Sequence, residues 1–302
     1  MLGICVLNWN AGESLIYCLQ CVEKQRLAVP VRVVVVDNAS SDDSVRLVRE
    51  KFAHISIIEN EQNLGYATGN NVGAQYLLRE GCDHLVFLNP DVMLESDSLL
   101  KLISSLSVNA RIGCAGGVPR TPPGKFDAPA RTRPSLLEKV VTYGPLWRVP
   151  FLNHLCRKHL RRDESLADGE HVYAVYGACI AFRSEAFQNI GGFDQSTFLY
   201  EEEFITAEKL RDKGWLTVLC LEAKYAHTVG GSTQRIPYRR RLYFIASEQY
   251  LLRRYYRYDV LSRRLIWLYR LAEWLLYCTY SWAATRFANT RFQGLAEKGH
   301  IR

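Results

Sequence analysis

The run "LVFLNPDVML" (85–94) carries a hydrophobic stretch into Asn89-Pro90-Asp91 and then becomes hydrophobic again. A carboxylate at the tip of an apolar rod needs either water or a partner. A hard divalent cation is one such partner, because Mg²⁺ and its like prefer oxygen ligands. A Pro-bearing turn is the plainer alternative. A second acidic feature, Glu201-Glu202-Glu203, follows the aromatic "FLY" and the turn "GGFD". Carboxylates there suit the removal of a proton from an attacking hydroxyl. They equally suit the start of a helix, where the dipole favours negative charge. His227, in "AHTVGGST", is either a ligand or a structural histidine.

The elements that must position these groups follow from periodicity. "GICVLNW" and "VRVVVVDNAS" are apolar and β-rich, and the second suits a strand buried on both faces of a parallel sheet. "AGESLIYCLQCVEKQ" and "SDDSVRLVREKF" have apolar residues at helical spacing. With "ISIIENEQN", "GYATGNNVGAQYLLREG" and "HLVFLNPDV" the order is β-α-β-α-β-α-β, which predicts a parallel sheet flanked by helices. Ligands bind beyond the carboxyl ends of such strands. Polar clusters fall at these ends: Asn8 and Asn10, Asp37 and Asn38, Asn63 with Gly65 and Tyr66, Asn89 and Asp91. Any one of them suits a turn; together they suit a ligand.

Residues 119–171, with "PRTPPGKFDAPARTRP", lack periodicity and read as a long loop or flap. Regular structure resumes at "HVYAVYGACIAFRSEAF" and continues through an amphipathic helix and a strand to His227. The net charge of +7 is concentrated: residues 235–264 hold nine arginines against Glu248 and Asp259. Such a segment serves nucleic acid, anionic lipid or another anionic ligand. The nine cysteines are scattered, and Cys18-x-x-Cys21 lacks the second pair that a zinc ribbon needs, so plain thiols in a reducing cytosol are expected. The opening "MLGICVLNWN" reads as a strand without a basic leader, so no signal peptide is expected.

The motifs "LNWN", "VVVDNASSDDS", "NLGYATGNNVG", "FLNPDV", "GACIAFRSEAFQNIGGFD", "FLYEEEF" and "HTVGGST" occur in that order. Together they resemble family 2 glycosyltransferases of the GT-A fold, in the subgroup of bacterial rhamnosyltransferases. The resemblance covers roughly residues 3–233. It implies an α/β fold with a central, mostly parallel sheet and a C-terminal helical extension. It divides the chain into a catalytic domain, 1–233, and a basic, aromatic extension, 234–302. Within the first, 1–118 would form the nucleotide-sugar half, 119–171 the flap, and 172–233 the acceptor and catalytic-base half.

The resemblance also assigns roles. Asp91 stands where the family has the last acid of D-x-D, here reduced to Asn89-Pro90-Asp91, and would hold Mg²⁺ or Mn²⁺ with His227. Asp37 stands for the acid that binds base or ribose, as an acceptor-only carboxylate can. Asn8 and Asn10 would border that pocket, and Asn63 and Gly65 would form a second nucleotide-contacting loop. Asn70 is a further nucleotide-sugar candidate; Asn71 reads as a helix cap. Gly177 and Ala178 resemble a small-residue strand beneath the sugar. Asp194 suits a turn or an acceptor contact. The family usually shows Glu-Asp where this chain has Glu202-Glu203, so Glu203 would be the base, with Glu202 the alternative.

The implied activity is inverting transfer of a sugar from a nucleotide donor, dTDP-rhamnose first, then a UDP- or GDP-sugar. The acceptor would be a growing, lipid-linked glycan. Other readings are a nucleotidyltransferase-like enzyme and a non-catalytic glycan- or nucleic-acid-binding protein. "NWNAGES" lacks the basic, Gly-rich loop of the former, and no nucleic-acid module is present, so no nucleic acid is expected. The segment "RRLIWLYRLAEWLLYCTYSWAATRF" is aromatic and apolar, but Arg270 and Glu273 interrupt it, which argues against a membrane span. Arginines before it and aromatics within it suit peripheral membrane contact through residues 235–290, which would place a cytoplasmic protein on the inner face of the cytoplasmic membrane. Packing of this helix on the catalytic core or in a dimer is the alternative.

Overall fold

The computed structural model describes residues 1–120, 129–142, 146, 149–156, 160–161, 167–227 and 237–297. The first half alternates strand and helix: β1 (Leu2–Asn8), α1 (Glu13–Glu23), β2 (Val31–Asp37), α2 (Ser44–Lys51), β3 (Ser56–Glu59), α3 (Gly65–Arg79), β4 (His84–Leu88). Then come β5 (Val92–Leu94), α4 (Ser98–Ser107), β6 (Ile112–Arg120), β7 (Ala130–Arg131), α5 (Leu136–Thr142), α6 (Pro150–Cys156) and β8 (Leu160–Arg161). The rest is β9 (Ala174–Val175), β10 (Cys179–Arg183), α7 (Ser184–Asn189), α8 (Glu202–Asp212), β11 (Leu216–His227), α9 (Pro237–Arg254) and α10 (Val260–Glu297).

Eight strands form one sheet in the order β3-β2-β1-β4-β10-β6-β11-β5. Strands β3, β2, β1 and β4 are parallel, as the β-α-β pattern predicts. Beyond β4 the sheet is mixed: β10 runs antiparallel to β4 and β6, and β11 runs parallel to β6 but antiparallel to β5. Both faces are covered. Leu15, Leu19, Leu99 and Leu102 from α1 and α4 pack one face; Ala67, Leu77, Ala186 and Phe187 from α3 and α7 pack the other. The β-branched run of β2 is buried because it lies between these two layers.

The expected long loop of residues 119–171 is corrected in part. It contains β7, α5, α6 and β8, with β7 pairing to both β8 and β9 in a small second sheet. The Pro-rich stretch 121–128 within it lies outside the described residues. Phe204 and Ile205 of α8 pack with Leu251 and Leu252 of α9 and Ile266 of α10 in a third apolar cluster. So α10 packs on α8 and α9, through the face that carries Arg270 and Glu273. No helix among the described residues is long and apolar enough to cross a membrane.

Candidate active site

The carboxyl ends of β1 and β2 are pinned together by side chains. Asn8 is fully buried, and its amide donates to Asp37 Oδ1 at 2.6 Å, to Ser44 Oγ at 2.7 Å and to Ser40 Oγ at 3.1 Å. Asp37 Oδ2 accepts the Ser40 N–H at 2.9 Å. Asn10 Oδ1 accepts the Ser41 N–H at 2.7 Å, which ties the loop after β1 to the loop after β2. Asn38 donates to the Gly65 carbonyl at 3.0 Å and accepts from Asn60 at 2.8 Å. The rim is therefore a closed hydrogen-bond network in which turn formation and ligand presentation share residues.

Several sequence expectations change here. Asn8 does not border a pocket; it buttresses Asp37 from below. Asn70 lies in the second turn of α3, buried, with its amide on the Tyr66 carbonyl and its oxygen facing the Cys5 thiol. Its polar groups are satisfied within the core. Asn71 is not a cap either: it pairs with the Phe193 backbone through both amide groups, at 2.8 and 3.0 Å. Gly65, at φ +78°, needs its missing side chain because a Cβ would stand 2.3 Å from the Phe198 carbonyl oxygen. What approaches Gly65 is thus the chain's own "FLY" segment. Asn63 Oδ1 accepts the Gly65 N–H at 2.9 Å, a local side-chain turn just before α3. Asp194 is bound by the hydroxyls of Tyr250 and Tyr255 and by the Ser196 N–H, so it forms the expected turn and ties it to α9.

The turn Asn89-Pro90-Asp91 links the central strand β4 to β5 at the far edge of the sheet. Its Asn89 N–H donates to the Ala178 carbonyl at 2.9 Å. Val92 pairs with His227 across the β5–β11 ladder, so the register itself brings Asp91 to His227. Asp91 Oδ1 and His227 Nε2 are 3.1 Å apart, with side chains 16% and 6% exposed. His227 Nδ1 is buried without a hydrogen-bond partner, and the Tyr176 ring meets the imidazole edge-on at 5.7 Å. The "GGST" loop that follows His227 lies outside the described residues.

The acidic run divides into three different groups. Tyr200 and Glu201 have φ of +74° and +70°. Each non-glycine residue in such a conformation costs about 1–3 kcal/mol and persists only where its surroundings hold it. Here they do: Lys139 of α5 binds Glu201 at 2.7 Å, both side chains buried, and Ser247 of α9 donates to the Leu199 carbonyl at 2.8 Å. Glu202 begins α8 buried, with Oε1 unpartnered. Burial, then the adjacent Glu203 charge, raises the Glu202 carboxyl well above the usual range. Glu203 is the half-exposed member, and its Oε1 accepts the Gly177 N–H at 3.3 Å. A Cβ at Gly177 would stand 3.1 Å from that same oxygen, so a larger residue would press on Glu203. Tyr66 donates to the Gly177 carbonyl at 3.0 Å. Burial, then the charges of Glu203 and Glu202, holds its hydroxyl protonated.

The segment Tyr176–Ala178 thus touches both halves of the chemistry. Tyr176 packs on His227, Gly177 holds Glu203, and Ala178 holds the Asn89 turn that carries Asp91. Tyr176 and Lys139 are absent from the sequence-derived site. The small pair Gly177-Ala178 beside Tyr176 was an available signal for the first. Nothing in the aperiodic flap pointed to the second.

A mixed α/β sheet covered on both faces, with its polar groups gathered at one rim, is the GT-A architecture. The sequence profile of the glycosyl transferase family 2 matches residues 3–191, and the chain belongs to that family. The N-acetylglucosaminyl-diphospho-decaprenol L-rhamnosyltransferase of Mycobacterium tuberculosis is 30% identical over 219 residues, 69% of this chain and 70% of that protein. The O-antigen chain rhamnosyltransferase WbaN of Salmonella anatum is 24% identical over 201 residues, 66% of this chain and 57% of that protein. The mannosyltransferase PcManGT from Pyrobaculum calidifontis, solved with GDP-Man and Mn²⁺, shares the fold at TM-score 0.56 and 17% identity, over 97% of this chain and 80% of that one. S. aureus TarS 1-349, solved with UDP-GlcNAc, does so at 0.54 and 14%, over 83% and 66%.

Proposed function

We propose that this glycosyltransferase moves a sugar, with inversion, from a nucleotide-diphosphate donor to a hydroxyl of a lipid-linked glycan. The observation that carries this reading is the convergence of the Asp91–His227 pair and Glu203 on the one segment Tyr176–Ala178. Rhamnose on dTDP is the preferred donor, supported by the names of the two rhamnosyltransferase relatives. UDP- and GDP-sugars come next. The decaprenol in the mycobacterial relative's name supports a lipid-linked acceptor.

Glu203 is the base. It accepts the acceptor hydroxyl's proton as that oxygen bonds to the anomeric carbon and the bond to the diphosphate oxygen breaks. Glu202 suits this role poorly, because it is buried, and burial and then the Glu203 charge raise its carboxyl well above the usual range. Glu201 is spent on Lys139. Gly177 N–H orients the Glu203 carboxylate, and Tyr66 fixes Gly177 in turn.

The facing carboxylate oxygen and imidazole nitrogen of Asp91 and His227 fit Mn²⁺ or Mg²⁺. Among the described residues no cluster of three such donors exists, so diphosphate oxygens and water would complete the shell. The cation would neutralise charge on the departing diphosphate. The nucleoside is assigned to the rim at the carboxyl ends of β1 to β4, where Asn10, Asn63 and Asn89 are partly exposed and Asp37 is held by Asn8 and Ser40.

A panel of nucleotide sugars, offered with Mn²⁺ and a polyprenyl-diphosphate-linked acceptor, tests this by mass spectrometry. Transfer of rhamnose from dTDP-rhamnose is expected. Turnover of no donor under these conditions contradicts it.

A further inference from the structure

Helix α10 is inverted with respect to an ordinary surface helix. Two charged residues at its middle point inward: Arg270 is fully buried, donating to Glu248 at 2.9 and 3.1 Å and to the Lys139 carbonyl at 2.9 Å. Glu273, 9% exposed, is bound by Arg241 and Arg270. Its leucines point outward: Leu261, Leu265, Leu268 and Leu276 are 67, 59, 54 and 69% exposed. Positions 261, 265, 268, 272, 275 and 276 fall on one stripe at helical spacing, opposite Ile266, Arg270 and Glu273. Trp267, exposed, lies beyond Arg264 to one side of the stripe, while Tyr277 falls on the Arg270 side and packs on Tyr238 of α9.

We propose that this outward face of α10 lies in the surface of an anionic phospholipid bilayer. It deepens the functional reading above and rests on it, since a lipid-linked acceptor is found at such a surface. Charge complementarity selects the occupant. Arg264 borders the leucine stripe, and Arg253, Arg254 and Arg257 are exposed just before it. Among the described residues no carboxylate pairs with Arg253, Arg257 or Arg264. The nearby Asp259 is taken up by the Ser262 N–H and hydroxyl. An apolar strip edged by guanidinium groups, with a tryptophan to one side, matches the lipid headgroup boundary. A second copy is a poorer match, because a two-fold contact along this stripe brings the same arginines together. The buried Arg270 and Glu273 explain why the helix rests on the interface and does not span it.

Flotation of the full chain with phosphatidylcholine vesicles, with and without phosphatidylglycerol, tests the proposal. Phosphatidylglycerol should raise the bound fraction more than tenfold, and raised salt should reverse the gain. Leu265→Glu/Leu268→Glu should lose binding more than tenfold at an unchanged melting temperature; Leu265→Ala/Leu268→Ala serves if the glutamates unfold the protein. Equal flotation of wild type and variants overturns the proposal. So does a wild-type dimer that these substitutions make monomeric and that binds no vesicle. Slow donor hydrolysis without vesicles is read in parallel. Vesicle binding with no donor turned over defeats the glycosyltransfer reading and leaves the docking surface standing. Turnover without vesicle binding does the reverse.

Discussion

At the strand-end rim, Asp37 is held by neutral donors: the Asn8 amide and the Ser40 N–H. Beneath the C-terminal helices, carboxylates are held by full charges: Lys139 on Glu201, Arg270 on Glu248 and Glu273, Arg241 on Glu273. The first network joins residues at adjacent ends of paired strands and keeps a nearby surface open to a ligand. The second joins α5, α8, α9 and α10 and leaves little open to anything. Loss of one neutral donor costs about 1–3 kcal/mol, the desolvation penalty of the group left unsatisfied. Loss of one buried charge costs more, because its partner is left undercompensated in a low dielectric. The charged network therefore suits a different task, which is to hold Tyr200 and Glu201 in their strained conformation and so set where α8 begins and where Glu203 points.

Four substitutions probe that division, in descending order of effect. Glu203→Gln should lower kcat by about 10²- to 10⁴-fold while leaving donor affinity nearly unchanged, by steady-state kinetics and calorimetry. If it transfers sugar normally, the base lies elsewhere. Arg270→Met, far from the rim, should destabilise the protein by about 3–5 kcal/mol in urea unfolding, since Glu248 keeps only Lys139 at 3.8 Å and Glu273 only Arg241. Asn8→Ala should cost less, about 1–3 kcal/mol, through the unsatisfied Asp37 and Ser44. If Asn8→Ala proves the more damaging, the contrast between the networks fails.

The smallest effect is one of pH. Glu202 has its carboxyl raised by burial and then by Glu203, so the folded protein retains a proton that the unfolded chain releases above about pH 4.3. Stability therefore falls as pH rises through the folded-state pKa. Glu202→Gln removes that loss. Its melting temperature should gain on wild type between about pH 5 and about pH 8. A constant difference across that range places the proton elsewhere.

The same contrast explains what the sequence disclosed. The rim was legible because strand periodicity and polar strand ends are local signals, and the order of motifs carried the family. Even so, Asn8, Asn70 and Gly65 were placed on the ligand side, when each turns toward the chain's own backbone or core. A strand-end asparagine looks the same whether it faces solvent or supports its neighbour. The charged network was not legible. Lys139 sits in an aperiodic segment, and Arg270 and Glu273 read as interruptions of an apolar helix. Their partners lie on other elements, 62 residues away for Lys139 and Glu201. Such pairing is fixed by tertiary packing alone. Sequence periodicity found the apolar character of α10 but could not tell which face turned inward.

The central claim, that Asp91 and His227 hold a cation against the donor's diphosphate, is met most directly by calorimetry of dTDP or UDP binding with and without Mn²⁺. The wild type should bind at least tenfold more tightly with Mn²⁺, and Asp91→Ala should lose that gain while remaining folded. Metal-enhanced binding that is the same in wild type and Asp91→Ala would contradict it.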